Sequence, residues 1–510
     1  MIDPRIQSLL DQACDVVGDS RWVTPGAVFV AMAGEKRHGL MGLEEAIERG
    51  ASAIIHDGLA DAADLARLSH VSVDAVAWPT LKDDLPAWLA YFWRQPADAL
   101  TLHAVTGTNG KSSVAWLIAQ ALDGAMIGTL GVGRPGGHHA AELTTPSIFE
   151  VYRQLAQLRH QGFEHVVLEA SSHALVQGRL AGLNFATTIL TNLGHDHLDY
   201  HGDRIAYGRA KERLFVDFES AHQLINIDDS FGDELCRRLK QRRPASTVCA
   251  YSQSITTQAD ATARIQPTRS PNTAKDAWAE PAPVGLAATL TLADDTQLDV
   301  SSSLLGSVNA YNLLITAQVM RWAGYSSAKI VERLAALTPP PGRMEQIVGE
   351  RTGREACRAP TVLVDYAHSP DALKHALLMA RDVCVGQLWV VFGCGGQRDP
   401  SKRAPMGRIA ESLADRAVIT DDNPRHESSL AIIRAIQSGM RQPERSRVLA
   451  DRREAIEWAI THAGEADVVL IAGKGHETEQ IMGDRREPMD DRATAKQALD
   501  SLASDQQEAC

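Results

Sequence analysis

No stretch of about 18 apolar residues occurs anywhere in this 510-residue chain, which excludes a membrane-spanning helix. The opening MIDPRIQSLL has no apolar signal-peptide core, so a cytoplasmic protein without membrane insertion is expected. CxxC pairs are missing too. The seven cysteines (14, 236, 249, 357, 384, 394 and 510) are scattered and odd in number, against a disulfide framework or a zinc knuckle. Positive charge is in deficit: 51 Lys and Arg face 64 Asp and Glu, a formal net charge of −13. General binding to nucleic acid or to a membrane surface is therefore not expected, and any anionic ligand must meet a local cluster of Arg and Lys. Internal repeats and coiled-coil heptads are absent as well. What remains is the composition of a globular protein, 44% hydrophobic and 23% charged. At about 150 residues per domain the length implies about three domains.

The most informative stretch is AVTGTNGKSS, 104–113. The apolar run 100–105 reads as a buried strand, 107–110 as a tight turn and 112–122 (SSVAWLIAQAL) as a helix. In such a strand–loop–helix the glycine-freed N–H groups and the positive end of the helix cradle phosphate oxygens. Lys111 would reach the terminal phosphates and the Ser112 hydroxyl would hold Mg²⁺. The loop is the short GxxGKS form, because Val105 stands where the longer pattern has its first Gly.

Residues 1–98 carry a weak α/β pattern, with strands expected at 28–34 and 51–57 and a helix at 42–49. A short DSR element, 19–21, precedes them. Between 99 and 337 strand-like runs (125–130, 165–170, 187–192, 223–228) alternate with helical ones, the pattern of a parallel sheet with helices on both faces. The Ser, Thr, Ala, Pro and Gln-rich 252–285 reads as a surface excursion, and TLTLADDTQLDV, 289–300, as a hairpin turning at Asp294 and Asp295. The run TPPPGR, 338–343, is the best linker. A third domain, 338–510, follows, with strands at 361–366, 388–396, 416–422 and 468–475, each ending in a Gly- or Asp-rich loop where open α/β sheets bind ligands. The expected class is thus α/β in three domains: a small N-terminal α/β domain, a central P-loop parallel-sheet ATPase domain and a C-terminal Rossmann-like domain.

Glu169 in LEASSHAL and the histidines 195, 197 and 201 of GHDHLDYHG fall at strand ends beside the phosphate loop, where a carboxylate and an imidazole could serve a second Mg²⁺. The order of strings decides their reading. TGTNGKS, LEASSHAL, TNLGHDHLDYHG, YGRAKERLF, GSVNAYNLL, PGRME and DYAHSPDAL follow one another over about 99–477, and this series closely resembles the Mur ligases of peptidoglycan synthesis. That resemblance implies an ATP- and Mg²⁺-dependent amide ligase, and its residues map on one by one. Gly107, Thr108, Asn109, Gly110, Lys111, Ser112 and Ser113 resemble the triphosphate loop, and Asn309 and Asn312 the nucleotide-side asparagines. Arg343 and Asp365 resemble the groups that the third domain brings to ATP. Ser112, Glu169, His197 and Lys211 resemble the metal set, with Lys211 at the position that the family carbamylates. Thr144, Thr145, Ser171, Gln177 and Arg179 lie where the family holds the UDP-muramoyl dipeptide, and Ser20 resembles a contact to its uridine end. Leu143 departs from the Asn that often precedes the Thr pair.

The third domain indicates the incoming amino acid. TDDNPRHE, 420–427, resembles the element by which some Mur ligases recognise meso-diaminopimelate, through Asp422, Asn423, Pro424 and Arg425, with Arg398, Gly473 and Glu477 completing that site. An Arg fork can grip the distal carboxylate that lysine lacks. The expected activity is ADP-forming addition of meso-diaminopimelate to UDP-N-acetylmuramoyl-L-Ala-D-Glu by a monomer. The rivals are an L-lysine-adding ligase, a folylpolyglutamate-synthase-like ligase and a non-catalytic P-loop switch.

Overall fold

The computed structural model describes residues 4–34, 37–137, 143–194, 196–242, 248–254, 259–266, 285–349 and 359–508. His195 and most of the 252–285 excursion lie outside them. The chain groups into two compact units, 1–262 and 263–510.

The first unit contains two sheets. Strands β1 (Val16–Val17), β2 (Val28–Ala31), β3 (Ala53–His56) and β4 (Asp74–Ala77) pair in sequence order, all parallel. The larger sheet uses β5 (Thr101–Thr106), β6 (Ala125–Gly128), β7 (Gly131–Gly133), β8 (His165–Glu169), β9 (Phe185–Leu190), β10 (Ser220–Asn226), β11 (Val248–Ser252) and β12 (Ala261–Ile265). Their order is β12-β11-β10-β9-β5-β8-β6-β7, with only the β6–β7 pair antiparallel in this set. β5 is flanked by β8 on one side and β9 on the other, so the winding direction reverses at β5. An open sheet leaves a crevice outside its strand ends at such a point. The register places Glu169 beside Val105 and Leu190 beside Thr106, which delivers the loops after all three strands to the same edge.

The second unit holds the expected hairpin, β13 (Leu286–Thr291) against β14 (Gln297–Ser302), with Asp295 in the left-handed region at φ 61°. Its main sheet is built from β15 (Glu345–Ile347), β16 (Thr361–Asp365), β17 (Leu388–Phe392), β18 (Arg416–Ile419), β19 (Arg447–Val448) and β20 (Val468–Ala472) in the order β15-β16-β20-β17-β18-β19. All pairs but β15–β16 are parallel. Leu363, Val390 and Leu470 pack on one face while Val362, Val391 and Val469 pack on the other, so both faces are covered and the strands read as continuous apolar runs. A final hairpin, β21 (Glu479–Met482) and β22 (Arg485–Pro488), was not anticipated from the sequence. Expected strands ran one to four residues long at their carboxyl ends, the most in 388–396 against Leu388–Phe392, because GCGG leaves the ladder as a loop.

One buried ion pair ties this unit together. Arg452 is inaccessible to solvent and meets Asp491 through Nε and Nη2, both at 2.7 Å, while Nη1 donates to the Asp421 carbonyl and Nη2 to that of Ala472. It therefore braces the loops after β18 and β20. Asp491→Ala should cost about 3–5 kcal/mol, since it strands a buried guanidinium, and chemical denaturation would measure it.

Candidate active site

In the first unit the loop expected to hold phosphate leaves β5 at Gly107. A Cβ there would lie 1.8 Å from Thr191 Oγ1 at a φ of +150°, so only glycine lets the loop pass this close to the end of β9. Thr191 Oγ1 and Asn192 Nδ2 donate to the Asn109 carbonyl, and Asn109 N donates to Asn192 Oδ1. The helix Lys111–Ala121 begins one residue before the sequence-based start. Lys111 Nζ donates to the carbonyls of Gly107 (2.8 Å) and Thr108 (3.0 Å).

Lys211 reaches the same carbonyl. It lies on the helix Arg204–Val216, is 1% exposed, and donates from Nζ to Gly107 O at 2.9 Å with its amine 4.4 Å over the Tyr207 ring. Burial first, and then the charge of Lys111, hold this amine well below the usual lysine range, with Asp196 opposing. A neutral amine is the form that attacks CO₂. Burial also pushes the Tyr207 hydroxyl up to about 12, so Tyr207, 3.2 Å from Thr108 Oγ1, stays protonated.

Glu169 is fully buried at the end of β8. Ser112 Oγ donates to its Oε2 at 2.9 Å, Thr129 N to Oε1 at 2.9 Å and Thr129 Oγ1 to Oε2 at 3.3 Å. Thr129, which also donates to Thr144 Oγ1, is a site residue that the sequence reading missed; it sits just past β6 with no motif around it. Thr145 Oγ1 donates to the Glu169 carbonyl and Ser171 N donates to Thr145 Oγ1, while Arg179 donates to the Thr145 carbonyl and to Gln177 Oε1. Thr145, Ser171, Gln177 and Arg179 thus form one hydrogen-bonded string beside Glu169, and Thr144 joins it through Thr129. Leu143 is half exposed. The Ser20 hydroxyl donates to Glu45 Oε2 at 2.7 Å.

His197 has a left-handed backbone (φ 52°) and a half-exposed ring 3.4 Å from Asp196 Oδ2, edge-on to His173. His201 lies 2.9 Å from Ser172 Oγ. No group of three or more His, Cys, Asp or Glu side chains able to hold a metal ion is found among the described residues, so Glu169 and His197 belong to no such cluster.

In the second unit Asp365, Arg398, the DNPR residues, Gly473 and Glu477 lie at or after the carboxyl ends of β16, β17, β18 and β20, whereas Asn309 and Asn312 lie on the helix Val308–Trp322 and Arg343 just before β15. Asn309 Nδ2 donates to the Leu305 carbonyl, and Asn312 Nδ2 to Asn309 Oδ1. Arg343 lies 4.7 Å over the Tyr366 ring, and its Nε is buried with no hydrogen-bond partner among the described residues. Asp365 accepts Met344 N and Ala367 N; burial pushes its carboxyl up, against the pull of Arg343. A Cβ on Gly342 would fall 2.1 Å from the carbonyl carbon of Gly475, and one on Gly475 would meet Gly342 O at 2.7 Å, both at positive φ. The Arg343 loop and the Lys474–Glu477 loop are therefore in backbone contact.

In the DNPR loop Asp422 and Asn423 are buried, and Asn423 Nδ2 donates to Glu477 Oε2 at 2.9 Å. A Cβ on Gly473 would meet Asp422 Oδ2. Arg425 has φ 51°, an uncommon conformation for a bulky residue, held by Arg425 N donating to Ile481 O and Gly483 N donating to Arg425 O. Its Nη1 donates to the carbonyls of Gly396 (2.9 Å) and Asn423 (3.4 Å), while Nε and Nη2 have no protein partner among the described residues. Arg398 is exposed on the neighbouring loop.

Residues 105–320 match the Mur ligase middle domain and residues 342–475 the Mur ligase glutamate ligase domain. A UDP-N-acetylmuramoyl-L-alanyl-D-glutamate--2,6-diaminopimelate ligase of Xanthomonas campestris pv. campestris (strain 8004) is 42% identical over 96% of this chain and 94% of its own. The chain belongs to the Mur ligase family. A ligase of the same name from Alkalilimnicola ehrlichii is also 42% identical to this Mur ligase, over 94% of this chain and 93% of its own. A solved structure titled as that enzyme superposes with a TM-score of 0.66 at 31% identity, covering 96% of this chain and 95% of the other.

For this Mur ligase the phosphate-loop lysine has a direct test. On the expectation that Lys111 meets charge developing on a transferring phosphoryl group, Lys111→Ala should lower kcat by about 10²-fold or more. Steady-state ADP release measures it, and near-normal turnover would exclude the phosphate role.

Proposed function

We propose that the protein is an ATP-dependent, ADP-forming amide ligase that joins meso-diaminopimelate to the D-Glu of UDP-N-acetylmuramoyl-L-Ala-D-Glu in the synthesis of a peptidoglycan precursor. The observation that carries this reading is near-full-length similarity to ligases named for that reaction. The division into 1–98, 99–337 and 338–510 goes with it as a proposal for UDP-substrate, ATP and amino-acid domains. No helix among the described residues is long and apolar enough to cross a membrane.

A carboxylate is a poor electrophile, so the γ-carboxylate of D-Glu first attacks the γ-phosphate of ATP, giving an acyl phosphate and ADP. The amine of diaminopimelate then displaces phosphate, and the new C–N bond is the amide. No protein nucleophile enters either step; the protein's share is positioning and electrostatics. Lys111 would leave the Gly107 and Thr108 carbonyls for the phosphates, and the N–H groups of residues 107–113 would cradle them. Asn309, Asn312, Arg343 and Asp365 would serve the nucleotide; the orphaned buried Nε of Arg343 supports such a role. Thr144, Thr145, Ser171, Gln177 and Arg179 would orient the muramoyl dipeptide, with Ser20 at its uridine end.

Hard oxygen donors suit Mg²⁺, and the buried Glu169 carboxylate 2.9 Å from the Ser112 hydroxyl offers them. Ser112, Glu169, His197 and a carbamate on Lys211 are the residues that would hold it. When bound, Mg²⁺ neutralises charge building on the phosphate oxygens.

The test is ADP release and product mass with ATP, UDP-muramoyl dipeptide and each amino acid in turn. Turnover with meso-diaminopimelate is expected; equal kcat/KM with L-lysine would overturn the choice of amino acid. No turnover with any amino acid would return the chain to the switch reading.

A further inference from the structure

Lys474 lies in the loop after β20 and has no solvent exposure. Its Nζ donates to the Glu479 carbonyl (2.5 Å) and to Glu477 Oε2 (3.1 Å), and stands 3.5 Å from Asn423 Oδ1. An ammonium has three protons, and here each points toward an acceptor. Burial of such a charge is costly unless its geometry is nearly complete, so this lysine is no filler.

Its partners are two residues of the amino-acid site, and it fixes how each is turned. Asn423 Oδ1 faces two donors, Ile481 N at 2.9 Å and Lys474, which forces Nδ2 toward Glu477 Oε2 at 2.9 Å. An amide flip would set Nδ2 against those donors. Glu477 Oε2 in turn takes both Asn423 Nδ2 and Lys474 Nζ. Both contacts fall on the same oxygen, which leaves Oε1 of a side chain 36% exposed, above a lysine side chain that is 0% exposed.

We propose that Lys474 is a positioning residue for the amino-acid substrate: by holding Glu477 Oε2 and the Asn423 amide from beneath, it presents Glu477 Oε1 as the acceptor for an ammonium group of the substrate. The inference rests on the reading of this pocket as the diaminopimelate site. It differs from a plain structural strut in what it predicts for kinetics, because the lysine acts through Glu477 on one substrate alone.

Lys474→Met keeps the length and apolar stem but removes the charge and all three donors. In the full-length enzyme it should lower kcat/KM for meso-diaminopimelate by about 10²-fold, mainly through KM, because a carboxylate freed to swing misplaces the substrate amine. KM for ATP and for UDP-muramoyl dipeptide should stay at wild-type values. Lys474→Arg retains a charge against Glu477 and should recover part of the loss. Lys474→Met combined with Glu477→Gln should be little worse than Glu477→Gln alone, since both changes break the same contact. Should Lys474→Met not fold by circular dichroism, the same split between substrates is read on Lys474→Arg, whose planar fork shifts Oε2 without emptying the site. A folded variant with unchanged KM for meso-diaminopimelate, or with the three KM values rising together, would overturn the proposal. Wild-type enzyme that turns over another amino acid but not meso-diaminopimelate would instead overturn the reading beneath it.

Discussion

Lys211→Ala is expected to be close to inactive, with kcat lower by about 10³-fold, the scale on which a preorganised charge in a transition-state site acts. The reason is local. Two lysine amines, 111 and 211, converge on the Gly107 carbonyl, and the buried one is held toward its neutral form. Uptake of CO₂ by that neutral amine would make an N–C bond, release one proton and leave an anionic carbamate beside Lys111, so an amine kept uncharged next to a cation would become its complementary anion. Short carboxylates such as formate should partly restore Lys211→Ala by occupying the vacated space. Lys211→Arg should not be rescued, because its guanidinium fills the space and cannot take up CO₂. Incorporation of ¹³C-bicarbonate into wild-type protein but not Lys211→Ala would be read by NMR; near-normal turnover of the alanine variant would end the assignment.

The same lysine fixes a sign for stability in CO₂-free protein. Its folded-state pKa is lowered from 10.5, so between those two values the unfolded chain binds more protons than the folded one. Stability should therefore rise with pH across that window, and the slope should be smaller in Lys211→Met, as thermal unfolding at a series of pH values would record.

Arg425→Ala should raise KM for meso-diaminopimelate steeply while leaving KM for ATP and the UDP-substrate unchanged. Among the described residues the guanidinium commits Nη1 alone, to the Gly396 and Asn423 carbonyls, which leaves Nε and Nη2 as a two-pronged donor for a carboxylate. A site that holds a polar group in this way rejects an analogue lacking it by as much as about 10⁴-fold, the discrimination expected here against L-lysine. Arg425→Lys should fail as well, since a point charge cannot reproduce the fork. An unchanged preference between the two amino acids in Arg425→Ala would count against Arg425 as the reader of the distal carboxylate.

What the sequence made legible was whatever depends on local order. A glycine turn between an apolar strand and a helix located the strand–loop–helix at 101–121, and alternation of strands with helices located parallel sheets. The hairpin at Asp294 and Asp295 followed from its two-residue period. Contacts made at long range stayed hidden. Thr129 reaches Glu169 across forty positions, and nothing near Thr129 announces it. The left-handed backbone of Arg425 is held by hydrogen bonds to Ile481 and Gly483 in a hairpin with no clear strand signal. Lys474 reads as one more polar residue in GKGHE until its complete burial is seen.

The backbone contact between Gly342 and Gly475 bears on how such an enzyme could evolve under an inhibitor. Cells commonly escape a tight-binding compound by enlarging a side chain in the wall it touches. Here neither residue can acquire even a methyl group without driving it into the opposing backbone, and both hold positive φ. A compound whose contacts are confined to these two glycines would rest on a surface from which the simplest route to resistance has been removed.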